Sequence, residues 1–339
     1  MNFKIFLPIL AIGFVLGCGK SDSDTTDGTT VKSVSTDSEK AKFKVALLTP
    51  GPVSDSGWSA LAYDGLQSIK TDMGATVDNK ESSGTKIADD MRTYARQGYN
   101  VVFGHGFEYN EPAIKVAKDF PNTVFVSSSG GATAKNVGAF RFDLEEGFYL
   151  AGYMAAMMSK TGTIGSVSVA NFPSIVSTLK AFEAGAKAAK PSIVVLAPVY
   201  FGVEGDVAKA KNATEQVISQ KADFVIHQAN AAAQGVFDAC KEHNVYAFGS
   251  NANQNDNPAG DVIASAIIVT KTPFKELADA VKKKTYVGTI GEYAMSNDAI
   301  DFVINPKLQD KVPADVQQKI KDLAADIKSG KLKVPKDKF

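Results

Sequence analysis

From Phe43 onward the spacing of apolar positions alternates between two periods. KVALLT (44–49) is a continuous apolar run rich in strand formers, and PGPVSDSG (50–57) is turn chemistry. From Trp58 the apolar positions fall at Trp58, Leu61, Ala62, Gly65, Leu66 and Ile69, the spacing of a helix over 58–73. The alternation continues with strands over 75–80, 100–103, 123–126 and 136–142 and helices over 86–97 and 111–120. EEGFYLAGYMAAMMS (145–159) is apolar nearly all round, which predicts a helix buried on several sides. The pattern then restarts. Strands over 163–169, 193–199, 224–227 and 245–249 alternate with helices over 174–190, 206–220 and 231–243, and Asp206 is read as an N-cap. Two successive runs of strand–helix–strand predict an α/β protein with two doubly wound, mostly parallel lobes. The later strands (261–270, 286–294, 299–303) and helices (274–284, 313–330) hold too little apolar sequence for a third core. The expected division is 43–160 plus 261–284 for the first lobe and 161–260 plus 285–339 for the second.

Residues 1–42 break the pattern. MNFK carries a positive charge, residues 5–16 form an apolar run too short to span a bilayer, and Val15-Leu16-Gly17-Cys18 closes it. This is the layout of a signal peptide over 1–17, and the cysteine after small and apolar residues resembles a bacterial lipobox, which implies cleavage before Cys18 and lipidation there. Residues 18–42 are mostly Ser, Thr, Asp, Gly and Lys and bury too little to fold, so they read as a flexible tether. The expected location is the extracytoplasmic side of a membrane, held by lipid. Cys240, the other cysteine, has the helical spacing of a buried structural thiol.

Charge changes the picture by exclusion. With 37 basic and 37 acidic residues in 339, bulk electrostatic attraction to nucleic acid is not expected. There is no G-x-S-x-G elbow, P-loop or H-E-x-x-H, and the three histidines have no metal-ligand spacing. Neither a catalytic residue, a cofactor nor a metal is expected.

In open α/β sheets small ligands bind beyond the carboxyl ends of the strands, so the loops there supply the candidates. Asp55, Ser56 and Trp58 follow the first strand: the indole either stacks on a heterocycle or starts the helix core, and Asp55 either binds ligand or caps. Gly104 and Gly106 bracket His105 and permit close backbone approach, with Phe107 beside them. Ser128, in SSSG, either lines the cleft or makes a turn. Asp143 is either a ligand carboxylate or a helix cap. Phe172 either stacks from the opposite lobe or packs on the surface, and Phe201 follows the next strand. Gln228, Asn230, Asn251, Asn253 and Gln254 offer amides with both donors and acceptors.

GPVSDSGWSALAYDGL, NVVFGHGFEY, DLEEGFYLAGYMAAMMSKTGTIG, KADFVIHQANAAAQGVFDAC and YAFGSNANQND, in this order behind the lipobox, resemble the basic membrane protein family of lipoproteins. These are substrate-binding proteins of ABC transporters that include purine-nucleoside receptors. The resemblance implies a type I periplasmic-binding-protein fold, hinged closure on a purine base or nucleoside, and partnership with ABC permease subunits. It places Phe107 at a pocket aromatic position. The family's G-V-D-x-D-Q aspartates are replaced by Asn251 and Asn253, and its following lysine aligns with Ile268, so the carboxylate–lysine grip on ribose is missing. This departure predicts a neutral site, for a free base or another uncharged solute.

Overall fold

The computed structural model describes residues 42–338 apart from 56 and 204. The first half runs β1 (Lys44–Thr49), α1 (Trp58–Met73), β2 (Thr76–Glu81), α2 (Lys86–Arg96), β3 (Val101–Gly104), α3 (Asn110–Ala117), β4 (Val124–Ser128) and β5 (Val137–Phe142). The chain continues through α4 (Glu145–Met158), β6 (Thr163–Ser168), α5 (Pro173–Ala189), β7 (Val194–Val195), β8 (Val199–Tyr200), α6 (Val207–Ser219), β9 (Phe224–Gln228), α7 (Ala233–His243) and β10 (Tyr246–Asn251). It closes with β11 (Val262–Ile268), α8 (Lys271–Lys282), β12 (Ile290–Tyr293), β13 (Ile300–Ile304) and α9 (Ala314–Lys328).

Two sheets result. The first has the order β12-β5-β4-β3-β1-β2, all parallel. Its β1 explains the continuous apolar run: Val45 and Leu47 face Ala62, Leu66 and Ile69 of α1, while Ala46 and Leu48 face the α2 and α3 side. The second has the order β13-β11-β10-β9-β6-β7, with β13 antiparallel at one edge and β8 also paired to β6. The strand expected over 193–199 is two short pieces, because Pro198 has no N–H to give a ladder. Helices α4 and α5 pack very closely. A side chain at Gly152 would collide with the Phe182 carbonyl, and one at Gly185 with the Tyr149 carbonyl, so both positions require glycine.

The late elements divide differently from expectation. Strand β11 lies between β10 and β13 in the second sheet, and β12 lies beside β5 in the first. Helix α4 packs on α5, β11 and α9, within the second lobe, whereas α8 packs on α1. The reason is burial. Val262–Ile268 is buried along almost its whole length and needs partners on both sides, while Ile290–Tyr293 alternates exposed and half-buried, as suits an edge. The chain therefore crosses between lobes three times, after β5, after β11 and after β12.

Candidate functional site

A cavity of about 110 Å³ lies between the lobes at the carboxyl ends of both sheets. An apolar cavity of roughly 150 Å³ admits benzene, so this is the scale of a ring-shaped ligand. Trp58, Phe107 and Phe142 line it from the first lobe, and Phe172, Val169 and Ile175 from the second. Phe107 and Phe172 are 36 % and 44 % exposed. Ile268 lies on the wall too, an apolar side chain where the family resemblance expects a lysine.

Trp58 is fixed before any ligand arrives. Its indole stacks on His105 at 3.8 Å, meets Phe142 edge-on at 6.5 Å, and donates from Nε1 to the His105 carbonyl at 3.0 Å. It is thus both core residue and cavity wall. Asp55 is not on the wall. Its Oδ1 accepts from the N–H of Gly57 and Ala60 at 2.9 Å and its Oδ2 from that of Ser59 at 2.8 Å, which occupies both oxygens at the start of α1. Gly104 packs against Tyr109 rather than the cavity, while Gly106 lies on the wall. Ser128 is buried against His105 Nδ1 at 3.1 Å, and its neighbour Ser129 faces the cavity instead. Phe201 packs against the α6–α7 side of the second sheet. Cys18 and Ser56 lie outside the described residues.

Asn230 and Asn251 reach the wall together with Gln228. The Asn251 amide donates to Asn230 Oδ1 at 3.2 Å and to Gln228 Oε1 at 3.4 Å, and Gln228 donates onward to Thr178 Oγ1 at 3.2 Å. Ser129, Asn230 and Asn251 all have positive φ (60°, 45° and 66°). Non-glycine residues in this region cost energy and cluster at ligand sites. Three around one cavity are a sign of function that sequence reading does not supply.

Sequence reasoning also missed the charged floor. Arg141, at the end of β5, and Glu145, at the start of α4, sit on the first crossing and are nearly fully buried. Arg141 pairs with Glu145, approaches Asp143 Oδ1 at 3.6 Å, and donates to Ser177 Oγ at 3.2 Å and to the Asp337 carbonyl at 2.5 Å. Asp143 is neither on the cavity wall nor a cap; it takes Lys336 Nζ at 2.7 Å, and Lys336 also reaches Glu292 at 3.1 Å. The C-terminal segment therefore straps the first crossing. Burial raises the Glu145 carboxyl above its usual range, against the pull of Arg141. Glu108, also on the wall, is raised by burial as well.

Two buried histidines set an acid limit. Burial pushes His105 down to about 3 and His227 down to about 4. His227 accepts from the Ala229 N–H at Nδ1 (3.2 Å) and faces Gln254 Oε1 through Nε2 (3.1 Å), the neutral tautomer. Unfolded, both titrate near 6.5. Between about pH 6.5 and 4 the unfolded chain binds protons that the native state refuses, so this contribution to stability falls as pH falls. His227→Gln should lose less stability than the wild type over that window in urea titrations. Parallel pH curves for the two proteins would show that His227 is not responsible.

Among the described residues no group of three or more His, Cys, Asp or Glu side chains could hold a metal, and no helix is long and apolar enough to cross a membrane.

Two lobes linked by three crossings, with an aromatic-walled cavity between them, define a solute-binding protein of the type I periplasmic-binding-protein fold. The family of PnrA-like ABC transporter substrate-binding proteins (Bmp) matches residues 42–338, and the chain belongs to it. That family consists of solute-binding proteins, not enzymes. A purine-binding protein of Brucella abortus is 27% identical over 86% of this chain and 82% of its own length. An ABC transporter nucleoside-binding protein of Lactococcus lactis is 27% identical over 97% of each chain. The transcriptional activator protein med of Bacillus subtilis is 28% identical over 83% of this chain and 87% of its own. The solved ABC transporter solute-binding protein of Conexibacter woesei superposes with a TM-score of 0.70 at 25% identity, covering 87% of this chain and 99% of its own.

Proposed function

We propose that this protein is a lipid-anchored extracytoplasmic receptor that binds a purine base or nucleoside between its lobes and hands it to an ABC permease. The observation that carries the reading is the pair of exposed aromatic rings, Phe107 and Phe172, on opposite walls of one cavity. A planar heterocycle satisfies two such faces at once, and stacking is worth about 1–3 kcal/mol per base. The amides of Gln228, Asn230 and Asn251 then supply directional contacts at the ring edge. The relatives named for purine and nucleoside binding support the same ligand class.

The anchor rests on the lipobox at Cys18 and the polar segment 18–42. Cys18→Ser should move the protein from the membrane fraction to the soluble extracytoplasmic fraction; unchanged fractionation refutes the anchor. Native mass spectrometry of the protein as isolated should show a bound species of purine mass, and a bound species of another class refutes the ligand. The relative named a transcriptional activator supports a second reading, in which ligand-driven closure is read by a signalling partner. Purine uptake that survives deletion of the gene would favour it.

A further inference from the structure

The cavity wall carries three charged side chains, Glu108, Arg141 and Glu145. Arg141 and Glu145 Oε1 are engaged with each other and with Ser177. Glu108 differs. It follows Phe107 in the loop after β3, is half-buried, and its carboxyl accepts from its own backbone N–H. Its carboxylate folds back over Gly106, also on the wall, where a side chain would displace it. The glycine in GHGFE therefore does more than admit ligand: it seats a carboxylate in the cavity.

An ionised carboxylate is acceptor-only, with two oxygens side by side. On the opposite wall the Asn251 amide already donates to Asn230 and Gln228. Glu145 Oε2 lacks a partner among the described residues but is buried away from solvent, so the acceptor a ligand in the cavity can reach is the half-buried Glu108 carboxylate. Purines differ at the edge such a group would read. A 6-oxopurine presents the N1–H donor beside its carbonyl, and guanine adds a 2-amino N–H parallel to it, matching both carboxylate oxygens. Adenine presents its 6-amino group next to an N1 lone pair, which would face the second oxygen unfavourably.

Resting on the purine reading above, we infer that Glu108 is a specificity-determining residue that selects 6-oxopurines, with guanine-type edges ahead of adenine. Hydrogen bonds to a charged group in a partly desolvated site are strong enough to give tenfold or more discrimination. The substitution Glu108→Gln keeps the shape, replaces one acceptor with a donor and leaves the core untouched.

The test is calorimetric titration of the wild type and of Glu108→Gln with hypoxanthine, guanosine, adenine and adenosine, with melting curves as a folding check. The wild type is expected to bind hypoxanthine and guanosine more tightly than adenine and adenosine. In the variant, hypoxanthine and guanosine should weaken about tenfold or more, and the two adenine compounds no more than about threefold. Equal losses for all four, no loss at all, or losses confined to the two nucleosides would overturn the inference; the last would assign Glu108 to the sugar. A wild type that binds none of the four overturns the purine reading itself and the inference with it.

Discussion

Phe172→Ala is expected to weaken purine binding by about 10- to 100-fold and to leave the melting temperature nearly unchanged. The magnitude is that of one lost base stack, about 1–3 kcal/mol. The selectivity comes from position. Phe172 sits between β6 and α5, with Pro173 opening the helix, and its ring is 44 % exposed on the cavity wall. It belongs to neither hydrophobic cluster of the second lobe, so its removal opens no hole in the fold. Calorimetric titration together with thermal melting checks both halves of the expectation. Unchanged affinity would place the heterocycle elsewhere, and a large fall in melting temperature would make Phe172 a packing residue.

Arg141→Met should have the opposite signature, a large loss of stability. The guanidinium holds Glu145, approaches Asp143, and ties Ser177 and the Asp337 carbonyl to the same point. Removing it leaves the buried Glu145 carboxylate without its counter-ion, while Asp143 keeps Lys336, and this costs about 3–5 kcal/mol. At roughly 2–4 °C per kcal/mol for a chain approaching this size, the melting temperature should drop by about 10 °C. Adding Glu145→Gln to the same chain should recover part of the loss, because the stranded charge is then gone. A drop worth less than about 1 kcal/mol would mean the cluster is hydrated and contributes no more than a surface pair.

Much of this architecture is legible in the chain. The strand over 44–49 and the helix over 58–73 emerge with the bounds that apolar spacing predicts, because each buries a face its sequence makes apolar. The assignment of β11, β12 and α4 to lobes is not legible. An apolar run records that a strand is buried but not which sheet edge accepts it.

The site was half legible. Loop aromatics and amides at strand ends point to the wall, and Trp58, Gly106, Phe107, Phe172, Asn230 and Asn251 are there. Asp55 illustrates the limit. The residue type suits a ligand contact and a helix terminus equally, and the three N–H donors around it are visible only in the structure. Glu108, Arg141 and Glu145 were passed over, although a signal existed for two of them. Arg141 lies between Phe140 and Phe142 in a buried strand, and Glu145 opens a helix that is apolar nearly all round. A charge inside an apolar segment must be paired or functional, and that question is worth asking of any such residue in a sequence.

A purine is expected to occupy the cavity between the lobes. Titrating the purified protein, freed of any carried ligand by unfolding and refolding, with purine bases, nucleosides and a set of sugars and amino acids tests it most directly. Saturable one-to-one binding of at least one purine, weakened by Phe172→Ala and absent for sugars and amino acids, is the predicted result. Binding of a sugar or amino acid with no response to any purine would contradict it.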